Sequence, residues 1–284
     1  MATNQAFTQY VQEWDREASL LFGKEQSVLL PTIAGENIKS TSRTDTYTFR
    51  NFGNISATNK LAYGQENNLH NPTRPSYTAQ IEKYGDALAF DEQWEELTNI
   101  SNTVSINYKN LMNAHNNEID RLITVDALIP TNETAIPDNG TGMTVQKLKI
   151  LSQRFNENNV PEDMRFIVMN EISARQLMED DEYINAYFTN NWVLEQGKLK
   201  PFMGITPIVI STGSVGYALP DAGNLSTSFG YSGHALGFVS GYFLMSSRQS
   251  VNPASQLIQQ LQFNIATTKI QDYGIVPILT DNTI

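Results

Sequence analysis

Cysteine is missing from the 284-residue chain. That excludes a disulfide framework, zinc–thiolate and iron–sulfur centres and a thiol nucleophile. Histidine is scarce: His70, His115 and His234 stand far apart in sequence, so no metal site and no other cofactor is expected. Positive charge is also short, with 19 Lys plus Arg against 30 Asp plus Glu, a net charge of −11 and a pI near 4.7. Such a balance argues against a nucleic-acid grip as the main role. There is no long apolar run. The longest, 235–245, is interrupted by Gly and Ser and falls well short of the ~20 residues a membrane-spanning helix needs. The first twenty residues carry acids and amides in place of a basic start and an apolar stretch, so no signal peptide is expected and the chain reads as a soluble, cytoplasmic product.

Chemical signatures are equally sparse. No dinucleotide or phosphate-binding glycine loop, no HExxH and no GxSxG can be found. The nearest glycine pairs, Gly213-Ser214-Val215-Gly216 and Gly230-Tyr231-Ser232-Gly233, read as loop glycines. The acidic groups at Glu95-Glu96 and Glu179-Asp180-Asp181-Glu182 read as solvated surface. No catalytic residue is assigned, and the chain is not expected to be an enzyme. What the sequence does contain is uncharged hydrogen-bonding side chains: Asn, Gln, Ser and Thr make up about a third of it, and such groups need partners in polar loops or wet subunit contacts.

The elements follow from periodicity. Phe7, Tyr10, Val11, Trp14, Ala18, Leu21 and Phe22 recur at three- and four-residue spacing and predict a short amphipathic helix stopped by Gly23. A strand is predicted around Thr44–Phe52 and a second over Tyr77–Tyr84. About two dozen turn-rich residues separate them and read as a projecting two-stranded loop. A short acidic turn at Asp91–Leu97 leads into the most helical part of the chain, Ile100–Leu128, ended by Pro130. Its apolar stripe is Ile100, Val104, Tyr108, Leu111, His115, Ile119 and Leu122. Thr144 is expected to cap a helix with Val145, Leu148, Leu151 and Phe155 on one face. A strand at Phe166–Met169 and a helix at Glu171–Glu179 come next. Short elements follow over Asp180–Phe188, Trp192–Leu194 and the Gly197 turn, and then a strand at Ile205–Ile210. Ala235–Leu244 and Gln259–Leu279 read as strand, with bulges or bends at Gly241 and Gly274. The class is α+β, not a wound parallel sheet.

This order of elements resembles the major capsid proteins of tailed bacteriophages with the Hong Kong 97-type fold. The resemblance is carried most specifically by 160–210, through Pro161, Arg165, Phe166 to Met169, Leu177, Asp180, Tyr183, Asn185, Gly197, Lys198, Leu199, Gly204 and Ile208 to Ile210. It implies an N-terminal arm at 1–30, an E-loop with its flanking strands at 31–84 and a peripheral domain with a spine helix at 85–130. An axial domain at 131–245 and returning peripheral strands at 246–284 would complete it. It also implies a protein that self-assembles into the pentamers and hexamers of an icosahedral head enclosing double-stranded DNA. Its partners would be other copies of itself, a portal, separate scaffold or cement proteins and non-specifically packaged DNA, with no membrane. The expected location is the virion shell, assembled in the bacterial cytoplasm. Candidate inter-subunit contacts are Phe7, Tyr10, Trp14, Phe22, Phe52, Lys60, Tyr63 and Arg74. Some relatives cross-link through an E-loop lysine, and Lys60 lies in that region without a local partner. The spine is expected to arrive by residue 100, so no fused scaffold segment is expected. Two alternatives stay open: an encapsulin-like nanocompartment shell, and a soluble α+β enzyme using dispersed carboxylates.

Overall fold

The computed structural model describes residues 26–41, 45–50, 74–91, 103–184, 199–249 and 256–283. The predicted N-terminal helix, the loop between the two hairpin strands, the turn after Asp91 and the segment around Trp192 and Gly197 lie outside them. The described strands are β1 (Ile38–Ser40), β2 (Thr46–Arg50), β3 (Ser76–Gln80), β4 (Glu82–Asp91), β5 (Arg165–Met169), β6 (Ile205–Val209), β7 (Asp221–Ala222), β8 (Leu225–Ser232), β9 (Leu236–Gln249), β10 (Gln256–Lys269) and β11 (Ile275–Asp281). The helices are α1 (Thr103–Leu122), α2 (Val145–Glu157), α3 (Glu171–Glu179) and α4 (Asp181–Ile184). The first sheet runs β1-β9-β10-β4. The second runs β11-β8-β5-β6, with β7 attached to β8, and β2 pairs with β3 as a separate ribbon.

Helix α1 forms where the stripe placed it. Leu111, Ile119 and Leu122 are buried, and Tyr108 packs on the same core. Twenty residues make it about 30 Å long. It then widens into a π-helical turn over Ile123–Leu128, closed by Ile129 N donating to Thr124 O at 3.0 Å. The helix stops there because Pro130 offers no amide to carry it on, while Ile129 itself keeps helical backbone angles, φ −60° and ψ −40°. The largest core cluster joins this helix to Phe238, Leu261 and Ile265 of the first sheet, to Val168, Phe229 and Tyr231 of the second, and to Leu29 and Ile33 near the start of the described chain. A second cluster packs Val145, Leu148, Leu151 and Phe155 of α2 against Ile167, Met169, Val276 and Ile278. Because β5 is covered on both faces, its sequence after Arg165, FIVM, reads as an unbroken apolar run and not as an alternation.

Several expectations need correction. The single strand predicted at Tyr77–Tyr84 is two, broken at Ile81, whose amide donates to Asp45 O at 2.8 Å. The first half pairs with β2 and the second continues to Asp91 against β10. Gly230-Tyr231-Ser232 is not a loop but the end of β8, a strand the serine-rich sequence LSTSFGYS disguised. A Cβ at Gly230 would lie 2.4 Å from the Leu151 side chain, so glycine is what lets α2 sit directly on this strand. The run Gln259–Leu279 divides into β10 and β11 around a turn at Asp272–Gly274. Strand β11 pairs with β8 in the second sheet, and β9 belongs to the first. The last seven-residue strand therefore lies in a different sheet from β9 and β10. Gly241 does sit at a bulge: Phe263 faces Phe243 while Ile265 faces Ser240, leaving one extra residue in β9. Thr144 occupies the cap position of α2 but its side chain makes no capping bond. Asp180 serves instead, its carboxylate accepting from Val145 N at 2.9 Å and bringing a full negative charge to the helix start. Glu182 pairs with Lys149 at 2.5 Å, so the acidic run 179–182 is partly structural and not merely solvated.

Candidate assembly surface

Two segments pack onto the body, a strap at 26–41 and the β2–β3 ribbon. The strap is fixed at one buried carboxylate. Asp120, fully buried on α1, accepts from Ser27 Oγ at 2.5 Å, from Val28 N at 3.1 Å to both oxygens and from Leu29 N at 3.0 Å. A buried carboxylate survives when several donors satisfy it, and here they come from the strap itself, two of them from its backbone. Farther along, Thr32 Oγ1 gives its proton to Leu29 O at 2.6 Å and so accepts from the Tyr231 hydroxyl at 2.8 Å. The Tyr231 pKa is pushed up by burial, with the Asp120 charge adding to it and the Thr32 hydrogen bond opposing. Tyr231 is therefore a neutral donor at any physiological pH.

The ribbon is held by one face. Phe49 and Ala79, the buried residues in two strands of otherwise exposed or half-buried positions, pack on Val239, Ala266 and Ile270. Gly237 makes room: a Cβ there would meet the Phe49 ring at 2.8 Å. The strands are in register from Thr46↔Gln80 to Arg50↔Ser76, so the chain between Arg50 and Ser76 leaves and re-enters at one point. Arg74 is exposed at that point. The other contact candidates, Phe7, Tyr10, Trp14, Phe22, Phe52, Lys60 and Tyr63, lie outside the described residues.

The residues that carried the family resemblance have structural work to do. Arg165 is buried, and its guanidinium donates to Pro161 O at 2.9 Å, Asn156 Oδ1 at 2.9 Å and Val160 O at 2.5 Å, above the Phe155 ring. The Pro-x-x-x-Arg spacing is thus a clamp that closes the turn from α2 into β5. Tyr183 is buried, its hydroxyl donating to Lys200 O and accepting from Lys200 N. Met203 and Gly204, with φ of 52° and 76°, form the tight turn between Phe202 and Ile205, which favours glycine at its second position. Asn185, Gly197 and Lys198 lie outside the described residues. Lys147, unmarked in the sequence, is buried and donates to three carbonyls, Thr141 O, Gly142 O and Leu279 O, at 2.8 to 2.9 Å. Burial lowers its pKa to about 8, against the pull of Asp138 and Asp281.

Chemically, this arrangement binds and orients chain segments. Among the described residues no group of three metal-ligating side chains comes together. His115 sits edge-on to Phe263 and Phe243, where burial lowers its pKa. Arg121 is locked in a fork with Glu118 at 2.6 and 2.9 Å. Next to it burial raises Asp126 and, together with its bond to Glu82, lifts Tyr84 to about 12. No described helix is long and apolar enough to cross a membrane.

The family model for phage capsid proteins matches residues 6–282, and the chain belongs to that family. Its fold is that of the Hong Kong 97-type capsid proteins, judged by solved head structures of low sequence identity. The acid-stable capsid structure of Helicobacter pylori bacteriophage KHP30 is 13% identical, with 94% of each chain covered and a TM-score of 0.72. The head structure of Helicobacter pylori bacteriophage KHP40 is 14% identical over 93% of each chain, at 0.70. The capsid of cyanophage Pam1 is 12% identical over 95% of each chain, at 0.69. No curated protein matches the chain.

Proposed function

We propose that this chain is the major capsid protein of a tailed double-stranded DNA phage, and that its copies form the pentamers and hexamers of an icosahedral head. The observation that carries the reading is a body with closed cores to which a strap and a hairpin ribbon are fixed at their roots, by Asp120 and by Phe49 with Ala79. In this reading 1–30 is the arm and the hairpin the E-loop. The α1-bearing first sheet is the peripheral domain and the second sheet the axial one. Phe7, Tyr10, Trp14, Phe22, Phe52, Lys60, Tyr63 and Arg74 contact neighbouring copies. Contacts of that head-to-tail kind close into rings. The net charge of −11 suits a wall that must not hold the genome it contains. Portal, scaffold and cement proteins would be its other partners, with assembly in the host cytoplasm and no catalytic step.

Deletion of 54–74 tests this. The truncated subunit should keep its circular dichroism and melting transition and lose the capacity to form rings or shells in electron micrographs. Normal particles from the deletion would overturn the placement of the contacts. A stable full-length monomer with a radius of gyration near ~19 Å under every condition would overturn the function itself. Particles filled with protein and free of DNA after phage infection would assign the chain to an encapsulin-like compartment instead.

A further inference from the structure

His234 lies in the short turn Gly233–Ala235 between β8 and β9, its side chain 26% exposed. Its two ring nitrogens face carboxylates from segments remote in sequence. Nδ1 is 3.1 Å from Glu36 Oε1 on the strap, and Nε2 is 3.3 Å from Asp163 Oδ2 on the loop between α2 and β5. Further hydrogen bonds meet at the same turn: the backbone pairs Ala34 N to Gly233 O at 3.0 Å and Gly233 N to Met164 O at 2.8 Å, and the Asn37 side chain, whose Nδ2 donates to His234 O at 3.0 Å. A Cβ on Gly233 would strike Thr32 O at 2.2 Å, so strap and turn are in direct contact.

A neutral imidazole carries one N–H and one lone pair, so it can donate to one of these carboxylates and must face the other with a lone pair. The imidazolium donates to both. Burial opposes that charge, but Asp163 and Glu36 outweigh it and hold the pKa above the ordinary histidine value. On the adjoining turn Asp272–Gly274, Asp272 is engaged by Lys269 Nζ at 2.6 Å. Arg165, beyond Asp163, is turned inward to its carbonyls.

We propose that His234 is a proton-operated clasp: protonated, it pins the strap at Glu36 to the 161–164 loop, and deprotonated it lets one of the two go. The sign follows from the raised native pKa. The contribution is complete below the unfolded histidine value and disappears as pH rises through the native one. The strap, and with it the root of the preceding segment, is therefore held more firmly in mild acid than in alkali. This goes beyond the shell reading and does not need it.

Hydrogen exchange of the full-length protein, followed by mass spectrometry from about pH 5.5 to about pH 8.5 and corrected for intrinsic rates, reads the clasp directly. With two carboxylates that are mostly exposed, protection in peptides covering 32–38 should fall about two- to fivefold across the range relative to β5 peptides. His234→Gln should abolish that dependence, and Asp163→Asn should move its midpoint to lower pH. A flat wild-type profile would overturn the proposal, and so would an unaltered pH dependence in His234→Gln. If His234→Gln fails to fold, Asp163→Asn decides, and an unshifted midpoint there refutes the clasp.

Discussion

Asparagine in place of Asp120 is the sharpest test of how the strap is held. The carboxylate is fully buried and accepts from the Ser27 hydroxyl and from the Val28 and Leu29 amides. The amide substitute keeps the volume and one acceptor oxygen but turns the other into a donor, which then faces Val28 N–H. Hydrogen bonds to a charged group contribute about 1.5–3 kcal/mol each, and a buried donor left without an acceptor costs about 1–3 kcal/mol. Against this, the neutral side chain recovers part of the several kcal/mol needed to bury a charge. With one hydrogen bond broken outright and the others weakened from charged to neutral, the net destabilisation should be about 2–3 kcal/mol. For a chain of this size that lowers the melting temperature by roughly 3–5 °C. The weakening should be local before it is global, so exchange of the 27–33 amides should accelerate at temperatures where β5 and β8 stay protected. The assay is thermal melting together with exchange mass spectrometry of the purified subunit. A variant within about 0.5 kcal/mol of the parent, with strap amides unchanged, would refute the view that Asp120 is the anchor.

Replacing Lys147 by methionine should leave the carbonyls of Thr141, Gly142 and Leu279 without donors and cost about 2–4 kcal/mol by denaturant titration. The native pKa of about 8 is below that of an unfolded lysine. Between about 8 and about 10.5 the unfolded chain therefore binds a proton the native chain has released, and stability rises with pH there. The stability gap between parent and Lys147→Met should widen over that window; a constant gap would count against it. Gly230→Ala forces a methyl to within 2.4 Å of the buried Leu151 side chain and should destabilise by about 1–3 kcal/mol, with partial rescue by the double change to Leu151→Ala. Additive losses in that double variant would show that the two sites do not meet.

The parts of this fold that depend on local patterning were legible. The α1 stripe, the four apolar positions of α2 and the helix 171–179 were all visible, because each element buries one face or caps itself: Asn170, for example, accepts from Ser173 N at 2.8 Å. What was illegible depends on pairings across long stretches of chain. Strand β8 was missed because Ser226 and Ser228 are buried, Ser226 in a hydroxyl cluster with Ser173 and Thr280, and polar residues in a core look like a loop from sequence. The partner of β11 could not be read because an apolar strand carries no record of which sheet it will join. The strap's anchor was missed for a related reason: Asp120 looks like any acid on a polar helix face until residues 27–29 arrive to use it. The proposed contact residues were chosen by type and place, and of these Arg74 is the one within the described chain.

Both sheets are stitched from segments that lie far apart along the polypeptide, Ile38 against Phe238 in one and Phe166 against Tyr231 in the other. Such long closures carry an entropic toll before any contact rewards them, so the folding of each copy should be slow compared with a helical protein of equal size. The ribbon of β2 and β3, by contrast, closes over about thirty residues and can zip early. A growing shell would then draw on a pool in which the β2–β3 ribbon is formed well before the body on which it rests. Mature subunits would be rationed by topology, and kinetics of that kind favour enlarging a few shells over starting many.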